Sequence, residues 1–172
     1  MKIFLTNLGK YVEGELVGLW LTLLFTDEEF STALKKISIG GRYEEYFITD
    51  YENDLGLKVG EYESLNTLNE VAKCIDDLNA NELQILRAVV EMDSPDVADM
   101  VEIIANLDNY TLHGDIKTYH DLGRYMIHDS GDFNVYTIET LEPYLNYESY
   151  GYDHSCNVEG KLTSYGWLER CT

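Results

Sequence analysis

Apolar residues recur along this chain with a changing period, and the changes divide it into thirds. In residues 1–60 two apolar runs, Ile3 to Leu8 and Leu16 to Leu24, flank a turn marked by Gly9 and Gly14, and a third extends from Tyr43 to Tyr51. Short apolar runs bounded by turn residues predict β-strands. Between the second and third runs the period becomes helical. Phe30, Ala33, Leu34 and Ile37 fall at i, i+3, i+4 and i+7, one stripe for a sheet to cover. Thr26 followed by Glu29 forms a capping box, in which each side chain satisfies the other residue's free N–H, and Gly40-Gly41 ends the helix. Trp20 and Phe25 are expected in the core of this segment.

Residues 61–110 keep the helical period throughout. Leu65, Leu68, Val71, Ala72 and Ile75 share one face, Leu83, Leu86, Val89 and Val90 a second, and Val97, Met100, Val101 and Ile104 a third. The third helix has a start signal of its own: Ser94 as N-cap, Pro95 where a missing N–H costs nothing, and Asp96 at the positive end of the dipole. In residues 111–172, Tyr110 to His113 leads in as a short strand. Thr118 to Ser130 reads as a helix with Leu122, Tyr125, Met126 and Asp129 along one side, ended by Gly131, and a further helix is placed around Pro143 to Ser149. Lys161 to Ser164 and Trp167 to Cys171, about Tyr165-Gly166, predict a hairpin. The expected fold class is α+β: domains at 1–60 and 111–172 with short antiparallel sheets, flanking a small acidic helical bundle at 61–110.

Charge sharpens this picture. Of 172 residues 32 are Asp or Glu and 12 are Lys or Arg, a formal net charge of −20. The three segments carry −4, −10 and −6, so the middle third is the most acidic. Such a chain does not hold nucleic acid or an anionic membrane by bulk attraction, because both require basic side chains to displace counterions; its electrostatic partner is basic. The apolar fraction of 45% with 14 Tyr, 5 Phe and 2 Trp excludes a disordered acidic tail.

Cys74, Cys156 and Cys171 have no framework spacing, and Met1-Lys2 leads into only three apolar residues before Thr6, so neither disulfides nor a signal peptide is expected and the expected compartment is the cytoplasm. The apolar run Leu16 to Phe25 is ten residues long, far short of the roughly 20 that cross a bilayer.

No glycine-rich phosphate loop, spaced-glycine dinucleotide turn, paired-His zinc helix or nucleophile elbow is present. His154, Cys156 and Cys171 offer three zinc-ligand types where a structural site takes four. The expectation is a protein without catalytic residues, metal or cofactor. Asp96, Asp99 and Glu102 recur every three residues opposite the apolar stripe of the third middle helix, three charges along about 9 Å. Duplex phosphates lie about 3.4 Å apart along each strand, a density of the same order. Asp76, Asp77, Glu82, Glu91 and Asp93 add to this bundle against only Lys73 and Arg87 within it. A solvated helix face ordinarily intersperses both signs. The residues alone therefore describe an acidic interaction protein with a basic-grooved partner, equally compatible with a carrier or chaperone for basic nucleic-acid-binding proteins.

The opening Ile3-Phe-Leu-Thr-Asn-Leu-Gly-Lys-Tyr-Val-Glu-Gly-Glu-Leu-Val-Gly-Leu-Trp20, with Tyr43-Glu-Glu-Tyr-Phe-Ile-Thr-Asp-Tyr51, resembles the ArdA-type antirestriction proteins of mobile genetic elements. Tyr119-His-Asp-Leu-Gly-Arg-Tyr-Met-Ile-His-Asp-Ser-Gly131 is similar to that family's antirestriction segment, and Tyr144 to Asp153 to the helix that follows it. At His128-Asp129-Ser130 the chain carries one acid fewer than the commoner pattern. The resemblance implies a DNA mimic: an elongated three-domain protomer, dimerising to occupy the DNA-binding groove of type I restriction-modification enzymes. Asp76, Asp77, Glu82, Glu91, Asp93, Asp96, Asp99 and Glu102 would then stand in for phosphates. Within the antirestriction segment, Tyr119, Asp121, Leu122, Tyr125, Met126 and Asp129 are candidates for a protomer contact, the apolar ones equally for a core inside their own domain.

Overall fold

The structure, a computed structural model, describes residues 1–131, 133 and 135–171. In chain order its elements are β1 (Lys2–Asn7), α1 (Leu8–Val12), β2 (Gly18–Thr22), α2 (Asp27–Lys36), β3 (Tyr46–Glu52), α3 (Leu65–Asp76) and α4 (Ala80–Asp93). A 3-10 turn, Val97–Asp99, runs into α5 (Met100–Ala105), and another, Leu107–Asn109, into β4 (Tyr110–His113). Then come α6 (Tyr119–His128), α7 (Val135–Leu141), a 3-10 turn at Glu142–Tyr144, α8 (Tyr147–Ser155), β5 (Gly160–Thr163) and β6 (Gly166–Arg170). The described residues form a mixed α and β fold with two three-stranded antiparallel sheets.

These elements gather into two compact units. The first comprises Met1–Asn79 with Ser94–Ala105, the second Ala80–Asp93 with the chain from Asn106 onward. Residues 61–110, expected as one bundle, are thus shared: α3 and α5 pack together in the first unit, while α4 lies against the sheet of the second. The physical reason is that each middle helix has one apolar stripe to cover: the stripes of α3 and α5 cover each other, while that of α4 is covered by a sheet face. Leu86, Val89 and Val90 of α4 are buried in this way.

In the first unit the strand order is β2-β1-β3. Ile3 and Leu5 on β1, Leu21 on β2 and Ile48 on β3 are buried, as are Ala33 and Ile37 at α2. The capping box at Thr26 and Glu29 is present, and α2 follows the helix dipole closely, with Asp27, Glu28 and Glu29 in its first turn and Lys35 and Lys36 in its last. Where a turn is expected about Gly9 and Gly14, the chain instead winds α1. Asn7 explains it: the fully buried side chain accepts from Lys10 N–H at 2.9 Å and donates Nδ2 to the Ile37 carbonyl at 2.8 Å, so it caps α1 and ties β1 to α2 with its polar atoms satisfied. Gly14, at φ 88°, supplies the left-handed residue after it.

The start expected at Ser94 shifts. Ser94 itself has φ 48° and follows the last residue of α4, and Asp96 is the cap of the 3-10 turn without a side-chain capping bond. Pro95 disfavours helical backbone at the residue before it, which separates α4 from the next segment.

The second unit has strand order β4-β6-β5. Thr163 pairs with Gly166, so Ser164-Tyr165 form the two-residue hairpin turn, one position earlier than the sequence suggests. The helix expected around Pro143 divides there: Pro143 lies in the 3-10 turn, and α8 starts only at Tyr147, capped by Asn146, whose Oδ1 accepts from Ser149 N–H at 3.1 Å. The core of this unit centres on Ile116, Leu122 and Trp167.

Candidate functional site

The eight acids expected to stand in for phosphates divide between the units. Asp76, Asp77, Asp96, Asp99 and Glu102 lie in the first; Glu82, Glu91 and Asp93 lie in the second. Asp76, the last residue of α3, and Asp77, its C-cap, are exposed at the negative end of the helix dipole, where a carboxylate is disfavoured. The contrast with α2 is direct, since that helix places its acids and bases as the dipole prefers.

Asp96, Asp99 and Glu102 are all exposed, while Val97 and Met100 between them are buried and Val101 and Ile104 half-buried. The backbone changes from 3-10 to α within this stretch, yet both helix types return a side chain to nearly the same side after three residues. The acids therefore keep the outer side that the apolar pattern leaves them. Asp76, Asp77, Asp96 and Asp99 have no ion-pair partner among the described residues.

Glu91 and Asp93 are different. The Glu91 carboxylate accepts from the Ser164 N–H at 2.7 Å and from the Ser164 hydroxyl, and the carbonyl of Met92 accepts from Lys161 Nζ at 3.1 Å. Asp93 pairs with Arg170 at 2.9 Å, and that guanidinium also donates to the Tyr110 hydroxyl and lies 5.1 Å from its ring centroid. The Tyr110 hydroxyl, ahead of Asp93 and Glu159, raises the Arg170 pKa above its ordinary value. These two acids fasten α4 to the β5–β6 hairpin and to β4, work that the charge count alone does not reveal. Glu82 is half-buried in the first turn of α4.

In the antirestriction-like segment, α6 carries its own capping box. Asp121 N–H donates to Thr118 Oγ1 at 3.0 Å, and the Asp121 carboxylate accepts the Thr118 and Lys117 N–H groups at 3.0 and 3.1 Å. The Thr118 side chain, then the two backbone donors, hold this carboxyl below the ordinary carboxylate range against the opposing effect of desolvation. Leu122 is fully buried against Ile116 and Trp167, and Tyr119, Tyr125 and Met126 pack on the same cluster. The apolar side of α6 is thus occupied within its own unit. Asp129, after the helix, is exposed. His128 Nε2 lies 2.7 Å from the Tyr147 hydroxyl, whose pKa is raised first by burial and then by the nearby Glu142 charge.

Two features escape sequence reasoning. Gly123 and Gly151 bring α6 and α8 together backbone to backbone; two glycines inside helices, where glycine costs stability, were the available signal. Trp20, expected in the core, is 41% exposed, because its pairing with Phe4 sets both on the sheet face opposite Ile3, Leu5 and Leu21. Phe25 is half-buried and stacks on Phe30 at 5.4 Å.

His154 lies beside Trp167, and Cys171 Sγ is 3.2 Å from the Thr111 hydroxyl. Among the described residues no three His, Cys, Asp or Glu side chains gather as metal ligands do, and no helix is long and apolar enough to cross a membrane.

A family model described as antirestriction protein (ArdA) matches residues 3–169. The chain belongs to the ArdA antirestriction family. The match takes in both units, the acid stripe and the α6–α8 pair. No curated protein matches the chain. Membership in the ArdA family carries an antirestriction function, and so an interaction with restriction enzymes.

Proposed function

We propose that this ArdA-family protein mimics duplex DNA and inhibits type I restriction-modification enzymes by occupying their DNA-binding groove, acting as a homodimer in the cytoplasm. The observation that carries the reading is the exposed Asp96, Asp99 and Glu102 stripe, set opposite buried Val97 and Met100 in a chain of net charge −20. Three carboxylates over about 10 Å of helix approach the charge density of a phosphate strand. Like charges at this spacing cost about 0.2–0.5 kcal/mol per pair, as do Asp76 and Asp77 at the wrong end of a dipole. Asp76 and Asp77, kept where the α3 dipole disfavours them, are explained by a partner that needs them, as is the mutual repulsion within the stripe. The Lys and Arg side chains of a DNA groove would take them up in charge-assisted hydrogen bonds.

The test is displacement of labelled duplex DNA from a purified type I restriction-modification complex, titrated at two salt concentrations. Saturable, sequence-blind displacement is expected, with no ATP or cofactor consumed by this protein and steep weakening between about 50 and 200 mM salt. Absence of displacement by the folded protein at any ratio overturns the reading.

A further inference from the structure

The sheet of the first unit buries Ile3, Leu5 and Leu21 on one face and turns Phe4 and Trp20 to the other. A solvated sheet face is ordinarily polar. Here buried Phe47, half-buried Phe4 and exposed Tyr11 and Trp20 line a concavity of about 470 Å³. Phe4 meets Trp20 edge to face at 5.3 Å, and Tyr11 meets Phe47 in the same way at 5.2 Å. Leu16 beside them is 69% exposed and Tyr11 52%. Aromatic surface left open in this way marks a binding face rather than a solvated one.

Two carboxylates, Asp50 and Glu61, also line the concavity, both exposed and neither with an ion-pair partner among the described residues. Aromatic faces attract cations electrostatically, and carboxylates pair with them. A guanidinium satisfies both demands at once, because it is planar, weakly hydrated and bidentate, whereas an ammonium is compact and strongly hydrated. The same unit already uses the combination internally. Arg42 lies 5.2 Å from the Tyr43 ring centroid and 2.8 Å from Glu13, to which the Tyr43 hydroxyl donates at 2.6 Å. Lys2, ion-paired to Glu52, lies 5.4 Å from the Trp20 centroid.

We propose that this concavity is a docking site for an arginine side chain of a basic protein partner, stacked on Trp20 and paired with Asp50 or Glu61. A second copy of this chain is a poor occupant of this acidic, aromatic site, since it offers 12 Lys and Arg against 32 Asp and Glu. The inference rests on the reading above only in taking the partner to be a basic protein. It adds to the acid stripe a contact made by stacking, which salt screens less than exposed ion pairs.

The experiment titrates the full chain with an oligo-arginine peptide and an oligo-lysine peptide of the same length, at about 0.3 M salt, where attraction between distant exposed charges is screened. Calorimetry reads affinity and tryptophan emission reads the site. Trp167 is 1% exposed, so a peptide-induced change in emission reports Trp20. The arginine peptide is expected to bind about fivefold more tightly than the lysine peptide. That preference is expected to disappear in Trp20→Ala and, separately, in the double variant Asp50→Asn with Glu61→Gln, each verified as folded by circular dichroism. Trp20→Phe retains a ring and keeps the preference while losing the emission change. Equal binding of the two peptides, or a preference that survives either variant, overturns the proposal. No restriction enzyme takes part, so this outcome is separate from failure of DNA displacement.

Discussion

Gly123 of α6 and Gly151 of α8 stand at the crossing of their two helices, each where the other's backbone passes. A Cβ added to Gly123 would lie 2.9 Å from the Gly151 nitrogen and closer still to the Tyr147 carbonyl oxygen; one added to Gly151 would lie 2.7 Å from the Gly123 nitrogen and closer to the Tyr119 oxygen. Backbone cannot rotate aside as a side chain does, so relief requires the helices to separate. Gly123→Ala and Gly151→Ala are each expected to lose about 2–4 kcal/mol of stability, although alanine is the better helix former by about 1 kcal/mol. Gly41→Ala, with nothing within 4 Å of its added methyl, should change stability by less than about 0.5 kcal/mol. Urea unfolding of the three variants checks this, and a Gly123→Ala protein as stable as the parent would refute the close crossing.

Asp121 links the same helix to pH. Its carboxyl is held low in the folded protein, first by the Thr118 side chain. A group with a lowered folded pKa contributes stability above its unfolded value, about 3.9, and loses it as pH falls through the folded value. Acidification has an opposite effect as well, because it relieves the repulsion of a chain at −20. The difference between the parent and Asp121→Asn removes that shared background. Melting temperatures from pH 7 down to pH 3 are expected to show the parent ahead at neutral pH, with the gap closing below about pH 4. Thr118→Ala, which removes the cap itself, should cost about 1 kcal/mol at pH 7. A gap between parent and Asp121→Asn that is independent of pH would show that the carboxylate charge plays no part.

Periodicity and caps made most elements legible in the sequence. Thr26 with Glu29 fixed the start of α2, and Tyr110 to His113 became β4 at the same residues. What periodicity cannot supply is the identity of the surface that a stripe covers. The faces of α3 and α4 look alike as sequence, yet one is buried in the first unit and the other in the second. The same gap hid Trp20, since alternation in β2 gives two faces and does not say which is covered. It also hid the work of Glu91 and Asp93, because their partners Ser164 and Arg170 stand more than 70 positions away in the chain.

Separating structural acids from contact acids gives a sharper test of the stripe than charge reversal alone. Glu91 accepts two hydrogen bonds from Ser164, so Glu91→Ala should lower the stability of the second unit by about 1 kcal/mol while leaving displacement of DNA from a restriction complex nearly unchanged once the protein is folded. Asp96, Asp99 and Glu102 should matter to displacement together rather than singly. Any one of them replaced by Ala should change displacement less than about twofold, because binding of this kind is a sum over many charges. Reversing all three to Lys takes acids from the first turns of these helical segments, which costs stability, and lowers the net negative charge of the chain, which favours the fold; in the folded variant displacement should weaken by at least about tenfold with a shallower salt dependence. Unfolding and displacement measured on the same preparations distinguish the two classes. A folded triple variant that displaces DNA as the parent does would remove this stripe from the contact surface and leave the acids of the second unit, Glu82 among them, as the ones to reverse next.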